Sequence, residues 1–495
     1  QPGGTSIVVA PEEVGALFDV LDRPFVDGLA LDLVPELLAP GAIEDARDAI
    51  ERHFGGIDTP ERRARLGQLE RIERYRTYLE ANRDALEASV ISASQLGDPS
   101  AEARRTNQGY QFDNLDATGL YLVPGRVNEI VVHVEAEDPS KLSVAWRQVG
   151  VTDTNSYPSL NLGQKTRLAN GENRVTVDLT GKANAYMLYL RNDSTSNEAR
   201  VRVESADAAD PGSVPILGSS LGEHPFYEHD PARPERFWSY VQDVRAHAER
   251  VGRGEAADMT LIQMGDEGHA QFAISATAMA RAYATISNEE EAVAYVERSN
   301  RAIQDRLEFY WAFDGFDASE ESGPNAITTA RVHTAFTRTV SNPSTMYAYG
   351  RYFHMPEHSA ASFLSGDDMY GWGMSHEYGH MLDNNVIAVA EETNNLYSIA
   401  GSRHGGIEAS RAAGTAFSPS AYYHVNAMRA TRMRDEELAR QAADPSYVPD
   451  WYNGDSWGVY IWTHVTAWWN GLHFFDDWDY SGYDFETSPY SEGVA

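Results

Sequence analysis

The stretch Met374-Ser375-His376-Glu377-Tyr378-Gly379-His380 restricts its own fold more than any other part of the 495-residue chain. Two histidines four positions apart become close neighbours on a helix, where both imidazoles leave the same face. From that face two ring nitrogens can share one Zn²⁺ at about 2.0–2.1 Å. Glu377, one position further round, reaches a water beside such an ion without being a ligand itself, which is the place of a general base. Gly379 weakens a helix, so its presence there predicts the close approach of another element.

A catalytic metal needs a third protein ligand and one open position. The chain has no cysteine, so disulfides and thiolate chemistry are excluded. Any metal must be held by His, Asp, Glu or backbone oxygen. Met381-Leu382-Asp383-Asn384-Asn385 ends the helix with turn formers, and an amphipathic pattern resumes from Val386 to Ala400. Within it Glu391 and Glu392 lie eleven and twelve residues beyond His380. If this segment packs antiparallel to the motif helix, either carboxylate reaches the metal, and spacing alone does not separate them.

Charge narrows the partners. The formal net charge is −34, from 74 acidic against 40 basic residues. Such a field repels nucleic acid and anionic membranes, and both are excluded as partners. No run of 18 apolar residues offers a membrane span. The chain opens at Gln1 without a leader-type segment, so a processed terminus is expected; its last residues, Glu492 to Ala495, read as an internal stopping point of something longer.

Three regions differ in pattern. Residues 1–105 read as helical: Glu12 to Leu21, Ala42 to His53 and Pro60 to Leu86 repeat apolar residues at three- and four-residue spacing. Glu61 to Arg76 is dense in Arg and Glu, a solvated face. Residues 106–205 alternate apolar and polar positions in short runs separated by PG, DPS, NG and GK turns, the pattern of an antiparallel β-sandwich. A Gly/Pro/Ser-rich connector follows, with a linker expected over 206–240. Helical spacing then returns in Pro234 to Arg250, Phe272 to Thr285, Glu289 to Phe309 and Ala421 to Gln441. Near the C-terminus IWTHVTAWWNGLHFF reads as a buried aromatic helix. Asp477, Asp479, Ser481 and Gly482 match the first half of a calcium loop, but Ser488 stands where its bidentate Glu belongs.

His376-Glu377-Tyr378-Gly379-His380 followed by Glu391-Glu392-Thr393-Asn394-Asn395 resembles the enhancin-type zinc metallopeptidases, a family of viral enhancins and bacterial mucin-degrading enzymes. Their signature is HExGH, a variable spacer, then Glu-x-x-Asn-Asn, and that alignment puts the third ligand on Glu391. Trp372-Gly373 is similar to the family's approach to the same helix. ATGLYLVPG at 117–125 and MYAYGRYFHMP at 346–356 resemble its sandwich entry and its strands before the zinc helix. Met381-Leu382-Asp383 departs from the Gln or His that members often carry after the second histidine.

The resemblance implies a secreted Zn²⁺ protease cleaving mucin-like O-glycosylated proteins beside an O-glycan. It implies metal ligands His376, His380 and Glu391, with Glu377 as base and Tyr423 as second oxyanion donor. Asn394, Asn395 and Trp372 would contact the sugar. The fold expected is multidomain α+β: the helical N-terminal region, the antiparallel β-sandwich and a mainly helical zincin-like catalytic domain over 241–495. Two rivals are an endopeptidase with no glycan requirement and a glycan-binding adhesin whose zinc is structural. Glu377 argues against the adhesin, because a structural site has no use for that base.

Overall fold

The computed structural model describes residues 14–22, 41–70, 72–73, 89–108, 113–148, 166–205, 221–337, 346–349, 352–367, 369–383, 388, 393–405 and 435–447. The chain divides into two compact units, Gln1–Gly97 with Asn114–Val149 and Ser159–His224, and Asp98–Asp113 with Gly150–Pro158 and Pro225–Ala495.

In the first unit, helices α1 (Val14–Leu21), α2 (Ala42–Phe54) and α3 (60–70) close on Leu17, Ile43, Ala46, Ile50 and Leu69. The Arg/Glu-rich face is solvated, as its sequence predicts, and laced with ion pairs. Arg62 grips both carboxylate oxygens of Glu51, at 2.9 and 2.5 Å. Strands β1 (Val90–Ser92), β2 (Asp116–Leu122), β3 (Val127–Ala136), β4 (Leu142–Gln148), β5 (Thr166–Arg167), β6 (Gly171–Asp178), β7 (Tyr186–Asn192), β8 (Ala199–Ser205) and β9 (Gly222–Glu223) form two antiparallel sheets, β1-β8-β3-β6 and β5-β4-β7-β2-β9. Ile130, Val132 and Val134 of one sheet and Val144, Leu188 and Leu190 of the other share one core. The alternation in the sequence is what puts them there, since every second residue of a strand faces the same way. The sheets draw strands from outside the expected range: β1 comes from the region read as helical and β9 from the expected linker.

In the second unit, α4 (Pro99–Thr106) is docked by polar contacts from Arg105 and Glu102. Arg105 donates to the Ala326 carbonyl at 3.0 Å, and Glu102 accepts from the Thr329 amide at 2.9 Å. The helical region 1–105 is therefore not a single piece. A mixed sheet of order β10-β11-β12-β13-β15-β14 follows, from β10 (Phe226–Glu228), β11 (Thr260–Met264), β12 (Ala270–Ile274), β13 (Val332–Thr337), β14 (Tyr347–Tyr349) and β15 (Tyr352–Pro356). Helices α5 (Arg236–Gly252), α6 (Ala276–Ala282), α7 (Glu289–Asp314), α8 (Ala360–Leu364), α9 (Trp372–Leu382) and α10 (Asn394–His404) belong to the same unit. Phe272, Phe336 and Phe353 of the sheet meet Tyr310, Phe363 and Tyr378 of the helices in one core.

Among the described residues this unit combines those helices with a six-stranded sheet, which the expectation of a mainly helical domain did not include. Phe272 to Thr285, read as one helix, is a strand to Ile274 and a helix from Ala276. Ser275 makes the switch, its hydroxyl accepting the Ala278 amide at 3.1 Å as an N-cap. The segment expected as linker carries β9 and β10 and the start of α5. Helix α7 is the best specified: Asn288 caps its first turn at 2.9 Å, three glutamates complement its dipole, and Gly315 in the left-handed region ends it. Among the described residues no helix is long and apolar enough to cross a membrane.

Candidate metal centre

Helix α9 presents His376, Glu377 and His380 together, one ligand atom from each lying within 4.8 Å of the others. The two imidazoles stand nearly at right angles, with centroids 4.9 Å apart. Both histidines are half-buried, whereas Glu377 is 5% exposed. Both imidazoles leave the same side of α9, as the four-residue spacing requires.

Helix α10 packs across α9 and brings two amides to the histidines. His376 Nδ1–H donates to Asn395 Oδ1 at 2.9 Å, which leaves the Nε2 lone pair for a ligand. The Asn394 amide nitrogen lies 3.1 Å from His376 Nε2 and 3.0 Å from His380 Nε2. It lies 3.2 Å from His376 Nδ1 as well, so it rests over the face of that ring, between the two imidazoles, and not on the line of the Nε2 lone pair. Two imidazoles beside the Glu377 carboxylate are a donor set that suits zinc, a borderline-soft ion. By composition and geometry these residues fit such an ion.

Behind the site α9 is held from below. The Tyr310 hydroxyl donates to Ser375 Oγ at 2.5 Å, and Arg306 lies over the Tyr378 ring at 4.4 Å. The Tyr397 hydroxyl donates to Asp314 Oδ1, and the Thr393 hydroxyl to Asp383 Oδ2. Burial holds the Asp314 carboxyl well above the usual carboxylate range, the Tyr397 hydroxyl opposing that shift and the Asp383 charge at the end of α9 adding to it. Tyr310 on α7 and Tyr378 on α9 also feel the Asp314 charge. A carboxyl that keeps its proton to higher pH when folded favours folding least above both values. Stability is therefore lost as pH climbs from about 3.9, the unfolded value, through the folded one. Asp314→Asn should flatten that fall, and a set of urea melts between pH 4 and 8 reads it directly; an unchanged slope would mean another group carries it.

The sequence-derived candidates divide as follows. His376, Glu377 and His380 come together. Asn394 and Asn395 are at the site but buried, at 0% and 3% exposure, with their amides turned to the histidines. A sugar hydroxyl reaching either amide would have to compete with an imidazole. Trp372 is half-buried at the start of α9, its carbonyl accepting from Ser398 Oγ at 3.0 Å. Glu391, Glu392, Tyr423, the aromatic stretch and the calcium-like loop lie outside the described residues. Arg306, Tyr310 and Asp314 were not singled out by sequence reasoning. Their signal was a polar residue at every fourth position in the second half of α7, where Ile303, Leu307 and Trp311 mark the buried side.

Residues 260–483 match the family model described as peptidase M60, enhancin and enhancin-like. The resemblance read from the motif is shown by that match. No curated protein matches the chain. Among solved structures, the CBM32-1, CBM32-2 and M60 catalytic domains of Clostridium perfringens ZmpB are similar at 15% identity and a TM-score of 0.61, over 93% of this chain and 42% of that one. The ZmpB metallopeptidase from the same organism gives 16% and 0.52, over 78% of this chain and 68% of that one. The catalytic module of its metalloprotease ZmpA gives 17% and 0.51, over 78% and 74%. At these identities the likeness is one of fold. The chain spans 42% of the longer ZmpB chain and 30% of a ZmpB chain that carries two CBM51 domains.

Proposed function

We propose that this chain, whose residues 260–483 match the M60 peptidases, is a secreted zinc metallopeptidase that cleaves O-glycosylated, mucin-like proteins at a peptide bond beside the glycan. The observation that carries the catalytic part is the grouping of His376, Glu377 and His380 within 4.8 Å on one helix. His376 and His380 would hold the ion through Nε2, with Glu391 as third ligand. Glu391 precedes Asn394 by three residues, and the Asn394 amide lies 3.0 Å from His380 Nε2, which supports that assignment.

Zinc held there supplies Lewis acidity, by which such sites make water nucleophilic near neutral pH. Glu377 takes the proton of the attacking water and returns it to the leaving amine. Asn395 keeps His376 in the tautomer with its proton on Nδ1, the one that can ligate through Nε2. Asn395 is thus proposed as an orienting residue in place of a sugar contact, while Trp372 stays the candidate for a sugar ring. Tyr423 is the proposed second oxyanion donor.

The glycan requirement rests on the family resemblance, and a matched pair of peptides tests it. One carries a single GalNAc on Thr, the other is bare, and mass spectrometry reads the products. Cleavage of the glycosylated peptide alone, beside the sugar, is the expected result. Equal cleavage of both would replace this reading with a general endopeptidase. Zinc uptake without cleavage of any glycopeptide in a panel of core structures would favour the adhesin.

A further inference from the structure

Helix α7 carries three polar side chains where apolar ones would pack at lower cost. Arg306, Tyr310 and Asp314 recur every four residues, so they form one row along the helix. Arg306 is 3% exposed and Tyr310 fully buried. Asp314 is half-buried as a residue, but its Oδ2 is shut off from solvent. Among the described residues Arg306 has no carboxylate within ion-pair distance, and its guanidinium sits over Tyr378 at 4.4 Å and over Tyr310 and Phe363 at 5.3 Å each. Removing a guanidinium from water into such a place is unfavourable unless something specific is gained.

What each member touches is the gain. Arg306 Nη2 donates to the Met374 carbonyl at 3.4 Å and stacks on Tyr378. The Tyr310 hydroxyl donates to Ser375 Oγ. Asp314 accepts from the Tyr397 hydroxyl. Met374, Ser375 and Tyr378 interleave with His376, Glu377 and His380 on α9, facing the other way. Tyr397 stands two residues beyond Asn395 on α10. The row therefore grips the backs of both helices whose fronts make the metal centre.

A second observation points to the same junction. A Cβ on Gly401 of α10 would lie 2.4 Å from the Tyr310 hydroxyl and 3.0 Å from Ser375 Oγ. Helix α10 thus carries its smallest residue where α7, α9 and α10 converge on that hydrogen bond. Apolar packing would let α9 roll about its axis by small amounts at little cost. A short directional bond to Ser375, one residue before His376, does not.

We propose that Arg306, Tyr310 and Asp314 are positioning residues that fix the roll of α9 against α10, with Tyr310 as the central one. This rests on the metallopeptidase reading above. A roll of the motif helix by even a few degrees moves the imidazole tips most, because they lie furthest from the axis. The row therefore acts on metal affinity before it acts on folding.

Tyr310→Phe removes one oxygen and keeps the ring. The zinc affinity of the full chain is measured by chelator competition, alongside the visible spectrum of the Co²⁺ form and a thermal melt. Affinity should fall about 10- to 100-fold, the usual effect of losing a partner beyond the ligands. The Co²⁺ bands should shift while the melt still shows a cooperative transition. Ser375→Ala removes the same bond from the other side and stands in if Tyr310→Phe does not fold. The double variant should be no worse than Tyr310→Phe alone, since that change already removes the hydroxyl, whose other acceptor is the Tyr397 carbonyl at 3.4 Å. Zinc affinity and Co²⁺ bands like those of the unaltered chain, in either variant, would overturn the proposal. So would additive losses in the double variant. If the unaltered chain takes up no zinc, the metallopeptidase reading falls and this one with it. Normal zinc uptake by the unaltered chain with unchanged variants removes only the row.

Discussion

A Glu377→Gln chain should fold, take up zinc and lose peptide-bond cleavage by about 10³-fold or more. The substitution keeps the shape of the side chain and removes its ability to accept a proton. His376 and His380 lie in one row on α9, whereas Glu377 leaves the helix about 100° away, so its carboxylate comes to the ion from the side. The three groups nonetheless lie within 4.8 Å of one another, so geometry alone allows Glu377 to be a ligand too. Metal content separates the roles. A base leaves zinc affinity nearly unchanged when lost, and a ligand does not. The two readouts are kcat on the glycopeptide and zinc per chain after dialysis. Stoichiometric zinc with turnover gone assigns the base. Zinc lost together with turnover would make Glu377 a ligand and return the search for a base to Tyr423 or another group.

The grouping of His376, Glu377 and His380 was legible because the three share one helix, and helical geometry converts sequence spacing into spatial proximity without help from the fold. The long helix α7 was legible for a similar reason: Asn288, the glutamates after it and Gly315 are local signals. The sheet beside it was harder to read. Thr260–Met264 and Ala270–Ile274 are short and covered on both faces, so they show no alternation to tell them from helix segments. Phe272 was absorbed into a helix because the small residues after Ser275 are good helix formers and the boundary rests on one capping hydroxyl. In the sandwich, one face of each strand stays in the shared core, and the period of two survived in the sequence. The amides of Asn394 and Asn395 illustrate the remaining gap. Sequence put them near the site, but which way a buried amide turns depends on the crossing of α9 and α10, which no local pattern encodes. Arg306, Tyr310 and Asp314 are the same case on α7.

That crossing is tested most directly at Gly379, between Tyr378 and His380. On an exposed helix, Gly→Ala stabilises by roughly 1 kcal/mol, because alanine has less backbone freedom to lose. Here the added methyl would lie 2.5 Å from the Asn394 carbonyl oxygen, 2.8 Å from Asn394 Cα and 2.8 Å from the Tyr397 ring. Two of those three atoms are backbone, so no side-chain rotation relieves the clash. Helix α10 has to back away, and overpacking of this kind costs about 1–3 kcal/mol, enough to offset the propensity gain or exceed it. The larger effect is on the metal. Retreat of α10 lengthens the 2.9 Å bond from His376 to Asn395 and frees the imidazole to turn. Zinc affinity should fall about 10- to 100-fold and turnover with it, while the melting temperature drops only modestly. The sign of the thermal shift decides the matter. A Gly379→Ala chain that melts higher and binds zinc normally would mean that α10 yields without disturbing the site, and that the tight crossing is not what orients His376. A lower melt with weakened zinc would mean that the glycine is required for the approach of α10, and that the helix-weakening residue inside the motif is part of how the site is built.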